Sequence, residues 1–256
     1  MKKFRLSEEL NESIVDGIIE GYKDYLRVRK EAARNLKVHG AYAWVKGNHI
    51  DHHVAVQCEK LGVESKLSKA GVTWQYLQFS VEDIKTLFLI KNARYFDPEA
   101  VDRGKDTYGR SKSKKSAYME EFISINEDVE FPSKTNKTLG GQSRQLVLFD
   151  ETPFDSLTNE EVSEIAKQYD RFYIVTYEID EEFLISAIKL WMPNPVNNKA
   201  YLVEDLTDLI NTKTSHIIEM EDQTKAILQN STEMPDASLY DIEIVEDDSD
   251  EATGES

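Results

Sequence analysis

From Ser7 onward, Leu10, Ile14, Val15, Ile18, Ile19, Tyr22, Tyr25 and Leu26 recur at three- and four-residue spacing. An apolar stripe of that period must be buried, so the spacing predicts one long amphipathic helix, capped by Ser7 and running toward Asn35. Its other side carries Lys23, Arg27, Arg29, Lys30 and Arg34. Those cations are expected to face solvent. Gly40 then interrupts, "AYAWV" reads as a short strand, and helix returns from about Asn48 to Leu61, where Gly62 ends it.

Beyond that helical start the pattern changes to strands. "VTWQYLQF" alternates aromatic and β-branched residues, and "FISI", "QLVLF", "RFYIVTYEI" and "LISAIKLWM" have strand composition. "SVEDIKTLFLIKN" fits either a helix capped by Ser80 or a further strand. Thr158 followed by Glu161 is a capping-box signal for a helix to Gln168, the acidic "DEE" reads as a hairpin turn, and "YLVEDLTDLI" as a closing helix. No repeat appears. This order predicts an α+β fold: a long N-terminal helix followed by a largely antiparallel mixed sheet with flanking helices.

Charge divides the chain. Of the net −17, residues 216–256 carry −12, with thirteen acidic residues against one lysine, which leaves −5 for residues 1–215. The final "DIEIVEDDSDEATGES" has eight acidic residues, no basic ones and no aromatics, a composition that cannot bury enough surface to offset chain entropy. The expected organisation is one α+β domain over residues 1–215 and an acidic tail over 216–256, disordered from about 228. Positive charge collects instead in "RGKDTYGRSKSKK", residues 103–115, where six Lys and Arg face one Asp. With its Gly and Ser spacers it reads as a mobile basic loop, at about 102–117, able to contact phosphates. Arg110, Lys112, Lys114 and Lys115 are the candidate nucleic-acid contacts. A solvated loop without a partner is the alternative.

The apolar runs are too short to cross a bilayer, and "MKKFRLSEEL" reaches charge before any signal-like segment, so the expected location is cytoplasmic, with no membrane partner. Cys58 is the only cysteine, which excludes an internal disulfide framework and a multi-cysteine zinc site.

The densest chemistry lies in "VKGNHIDHHVA", residues 45–55, where His49, His52 and His53 stand beside Asp51. On a helix the three histidines share a side away from the stripe of Ile50, Val54, Cys58 and Leu61, and Asp51 lies off that side. They are the candidate catalytic residues, as acid or base, and are expected to line an open cleft. Imidazoles at this spacing could also hold a metal ion, or serve only as structural or partner contacts. The HExxH spacing is absent, so neither metal nor cofactor is specified. "DHH" is shared with a phosphoesterase class, but no Asp-x-Asp motif precedes it. Arg34 and His39 match the Arg–His spacing of all-helical ribonucleases, although the chain has too many strands for that fold. "KTLGG" lacks the ending of a phosphate loop.

The runs "GAYAWVKGNHIDHHVA", "KNARYFD", "YIVTYEID" and "IKLWMPNP" resemble a family of toxins from Gram-positive bacteria, described as sensitive to the ClpXP protease, over roughly residues 4–212. That resemblance implies a growth-inhibiting toxin and, as partners, ClpXP and an antitoxin with helix-turn-helix and metallopeptidase-like regions. It supplies no residue roles. Whether the chain is an enzyme is open. A nuclease or other phosphate-directed activity, with nucleic acid as a partner, is the leading expectation, and a non-enzymatic protein that binds and inhibits a cellular partner is the alternative.

Overall fold

The computed structural model describes residues 1–70, 74–106, 108–113, 115–132 and 166–229. Helix α1 spans Glu8–Asn35, and the Ser7 side chain accepts from the Leu10 N–H at 3.2 Å, as its capping position predicts. Glu8 and Glu9 in the first turn and Arg34 in the last suit the helix dipole. All eight residues of the apolar stripe are buried. Arg29 departs from expectation. It is wholly buried, its guanidinium donating to the carbonyls of His39 at 3.0 Å and Ile227 at 3.4 Å, so it joins three segments instead of facing water.

Helix α2, Lys46–Glu59, packs against α1 along Ile50, Val54 and Cys58. Two glycines of α1 set how close the helices come. A Cβ on Gly17 would lie 2.5 Å from the Val54 Cα, and one on Gly21 would lie 2.5 Å from the Ile50 Cα. The backbones therefore nearly touch, and this contact fixes where α2 sits. Cys58 is buried, which pushes its thiol up to about 12 and leaves it unreactive.

Six strands follow in spatial order: β1 (Val63–Ala70), β2 (Trp74–Val81), β3 (Thr86–Asn92), β4 (Arg171–Ile179), β5 (Ile185–Pro193) and β6 (Ala200–Asp205). Every neighbouring pair is antiparallel except β3 with β4, so the sheet is mixed and largely antiparallel, as expected. Both faces are covered. Tyr173, Val175 and Tyr177 of β4 face the α1–α2 layer, while Phe172 and Ile174 face helix α3, Ala117–Ser124. Burial on both sides explains why "RFYIVTYEI" is an almost unbroken apolar run.

Several local readings differ. "AYAWV" is not a strand: Gly40–Ala43 form a 3-10 turn closed by Tyr42 N–H to His39 and Trp44 N–H to Ala41. "FISI" lies in α3, where Met119, Phe122 and Ile123 are buried at helical spacing, a pattern too short to separate from a strand by sequence. "YLVEDLTDLI" begins as β6, and only Thr207–Asn211 turn, as a 3-10 helix whose Thr207 N–H donates to the Asp205 carboxylate. The ambiguous "SVEDIKTLFLIKN" supplies the end of β2, a 3-10 turn at Glu82–Ile84 and β3. β1, "VESKLSKA", was not foreseen, because an edge strand needs little apolar sequence. "QLVLF", "KTLGG", the capping box at Thr158 and Lys114 lie outside the described residues, as does the tail from residue 230.

Residues 216–229 belong to the packed fold. His216 is buried, with Nε2 2.7 Å from Asp16 Oδ1, and Lys213 Nζ reaches Asp16 at 2.8 Å. Helix α4, Asp222–Gln229, then buries Thr224 and Leu228. The expected boundary at 215 thus falls inside a packed region.

Candidate functional site

A divergence between strands opens a cleft beside α2. β2 pairs with β1 along its whole length but meets β3 only at Phe79, Ser80 and Val81. β3 meanwhile continues beside β4 to Asn92, opposite Tyr177. The gap lies at the carboxyl ends of the parallel pair, the position at which α/β sheets open their ligand crevices.

Asp51 projects from α2 into this gap. The Leu77 N–H, which has no β3 neighbour there, donates to Asp51 Oδ2 at 3.0 Å. The cavity is about 110 Å³, walled by Ile50, Tyr76, Leu89, Phe96, Tyr118 and Tyr177. The Tyr76 and Tyr118 rings lie 5.8 Å apart at 36°, with Lys91 Nζ donating to the Tyr118 hydroxyl at 3.3 Å. Arg103, Lys105 and Lys112 contribute the basic side of the lining. Burial raises the Asp51 pKa, the Leu77 N–H opposes that, and the balance leaves it at about 7. A carboxyl that titrates there can hold or release a proton near neutral pH, as a general acid or base must.

The described residues of the basic segment that supplies the rim are held by hydrogen bonds and ion pairs. Asp106 Oδ1 accepts from the Tyr108 and Arg110 N–H groups, each at 2.9 Å, and Lys105 bridges Ser111 across a turn with Gly109 at φ 75°. Arg110 pairs with Asp106 at 2.9 Å and Lys115 with Asp102 and Glu120 at 3.3 and 2.6 Å. Of the expected phosphate contacts, only Lys112 among the described residues lines the cleft. Arg103 and Lys105, from the same segment, join it.

The histidines face the other way. His49 Nδ1 lies 2.7 Å and His53 Nε2 3.5 Å from Asp24 Oδ2, across the α1–α2 interface, and Arg27 holds the second oxygen at 2.7 Å. Burial alone would raise the Asp24 pKa, but the hydrogen bonds from Arg27 and His49 more than offset it and leave it at about 2. An ionised Asp24 requires the hydrogen of His49 to sit on Nδ1. His52 is exposed, its ring edge-on to His53 at 5.4 Å. The expected histidine-lined cleft is therefore replaced by a cleft lined by their neighbour Asp51. Among the described residues no three His, Cys, Asp or Glu are grouped to hold a metal ion.

Three cations on the solvent side of α1 are paired with acids. Lys23 pairs with Glu20, Arg27 with Asp24 and Glu31, and Lys30 with Glu221. Arg34 lines a separate groove between α1 and residues 217–224. Asp51 had a usable signal: it stands three residues before Val54 and seven before Cys58, so it sits on the margin of the buried stripe, where a carboxylate is costly without a purpose.

No family model, curated protein or solved structure matches this chain. Among the described residues no helix is long and apolar enough to cross a membrane.

Proposed function

We propose that the protein is an enzyme acting on a phosphate-bearing substrate in the cleft between β2 and β3, with Asp51 as the proton-transferring group. One observation carries this reading: a half-buried carboxyl, held by one backbone N–H, sits at the carboxyl ends of β3 and β4 beneath the cationic rim of Arg103, Lys105 and Lys112. The rim places positive charge for the substrate's phosphate, and the carboxyl within gives or takes the proton. The acid or base was expected among the histidines; the geometry favours assigning the proton transfer to Asp51.

The biological setting proposed with it is growth inhibition within a bacterial toxin–antitoxin pair, with ClpXP and the antitoxin as partners. The resemblance in "GAYAWVKGNHIDHHVA" and the later runs supports that setting. Expressing wild type and Asp51→Asn side by side tests both levels. Growth arrest by wild type and its loss in the variant, at an unchanged thermal midpoint, supports the reading. Arrest by Asp51→Asn as strong as that of wild type removes Asp51 from the chemistry and favours a toxin that works by binding a partner. A wild type that does not arrest growth removes the toxin setting.

A further inference from the structure

We propose that the ligand of this cleft is a free nucleotide, its base ring lodged between the tyrosines and Asp51 and its phosphates on Arg103 and Lys105, and that a nucleic-acid strand is not bound there. The inference rests on the cleft being the working site, as argued above, and adds the substrate class.

Size is the first argument. Ligand pockets generally enclose about 300–1,000 Å³. A cavity of about 110 Å³ is well below that range and takes a planar base and little more, so the rest of the ligand must lie at the rim. The walls suit a ring. Tyr76 and Tyr118 are too close together at 5.8 Å to admit a ring between them, but both line the cavity, so a ring inside it meets aromatic walls. Asp51 Oδ2 is occupied by the Leu77 N–H, which leaves the other carboxyl oxygen to meet the hydrogen-bonding edge of a base.

Charge decides between a single nucleotide and a strand. Arg110 and Lys115 are neutralised by Asp106, Asp102 and Glu120. Arg103 and Lys105, by contrast, have no ion pair among the described residues and both line the cavity. Arg103, Lys105 and Lys112 thus gather positive charge at the mouth. A strand needs cations spaced along a track on both sides of the bound base. Here the α1 cations that might have formed such a track pair with Glu20, Asp24, Glu31 and Glu221.

The test is calorimetric titration of the full chain with ADP and GDP, with adenosine, with inorganic pyrophosphate and with a single-stranded RNA 20-mer. One nucleotide should bind at one site, at least about tenfold more tightly than pyrophosphate or the nucleoside, since each of these keeps only half of the contacts. An Arg103→Ala/Lys105→Ala double variant should weaken the nucleotide about tenfold or more while leaving the weak nucleoside binding unchanged. Those charges are exposed or half-buried, so the variant folds, as its thermal midpoint will verify. RNA binding tighter than that of either nucleotide, pyrophosphate binding as well as the nucleotide, or no heat from ADP or GDP would each overturn the proposal. Should the nucleotides fail while Asp51→Asn still abolishes growth arrest, the substrate class falls and the enzyme reading stands. Nucleotide binding together with full arrest by Asp51→Asn gives the reverse.

Discussion

The two sides of α2 carry similar residue types into opposite roles. On one side, His49 and His53 meet Asp24, and Arg27 holds the other oxygen of that carboxylate, which lies at about 2. On the other, Asp51 has one backbone N–H and an open cavity, and its carboxyl is raised to about 7. Both carboxyls are partly shielded from water, yet their pKa values move in opposite directions because only Asp24 gains the side-chain hydrogen bonds and charge of Arg27 and His49. The paired side is locked into the helix interface. The unpaired side is left able to exchange a proton, and that is the side suited to chemistry.

The largest effect is expected at Asp51. If it is the acid or base, Asp51→Asn should reduce turnover about 10²- to 10⁴-fold, measured on the nucleotide that binds best. Its effect on stability has a definite sign. A carboxyl raised from 3.8 to about 7 means that the native state binds more protons than the unfolded chain between those values, so stability falls as pH rises through that window. Chemical denaturation from pH 4 to pH 8 should show that decline in wild type and a flatter profile in Asp51→Asn. Identical profiles would mean that the carboxyl is not held away from water, and the contrast with Asp24 would collapse.

Next in size is the seat of α2. An Ala Cβ at Gly21 would lie 2.5 Å from the Ile50 Cα and 2.7 Å from the His49 carbonyl, backbone atoms that can move only if the helix moves. Gly21→Ala should cost about 1–3 kcal/mol through overpacking, lowering the thermal midpoint by several degrees. Because Ile50 adjoins Asp51, activity should fall with it. A variant as stable and active as wild type would show that α2 tolerates displacement and that the position of Asp51 is not set by this crossing.

Why the sequence revealed one side of α2 and not the other is a matter of where each signal resides. α1 was legible from Ser7 to Asn35 because its cap and period are local, and β4 and β5 because burial on both faces leaves a nearly unbroken apolar run. "FISI" and "AYAWV" differ from the strands their composition predicts because a mostly apolar run of four or five residues fits a helical turn as well as a strand. Histidine clustering is also visible locally, but whether a cluster is engaged depends on Asp24, twenty-five residues away on another helix. The cleft depends on β2 parting from β3 at Phe79, and no residue in either strand announces that. Helical phase puts Arg29 on the wet face, yet it is buried because the start of the Gly40–Ala43 turn and the end of α4 bring two carbonyls over it.

A smaller change is expected from His49→Ala. It removes a hydrogen bond to an ionised group in a half-buried interface, with a cost of about 1.5–3 kcal/mol at most and less where solvent reaches the pair. The sign with pH is opposite to that of Asp51. Asp24 lies below its ordinary value, so its contribution is present above pH 3.8 and is lost as pH falls toward 2. The difference between wild type and His49→Ala should therefore narrow in strong acid, while turnover stays within a few-fold of wild type. A variant of normal stability that has lost turnover would assign His49 to chemistry.

The smallest effect should come from His52, which makes it the sharpest control. It adjoins Asp51 in the chain, but it is exposed and touches His53 only edge-on at 5.4 Å. Alanine removes little packing and no ion pair to Asp24, so the stability change should stay within about 0.5 kcal/mol, as for surface positions generally. Turnover and growth arrest should also be unchanged, because the imidazole does not line the cavity that Asp51 enters. Two adjacent residues of one helix would then differ by orders of magnitude in activity at equal stability, a result that general weakening of α2 cannot produce. The opposite outcome, a stable His52→Ala protein without activity beside an active Asp51→Asn, would place the reaction on the histidine side and leave the cleft as a binding pocket only.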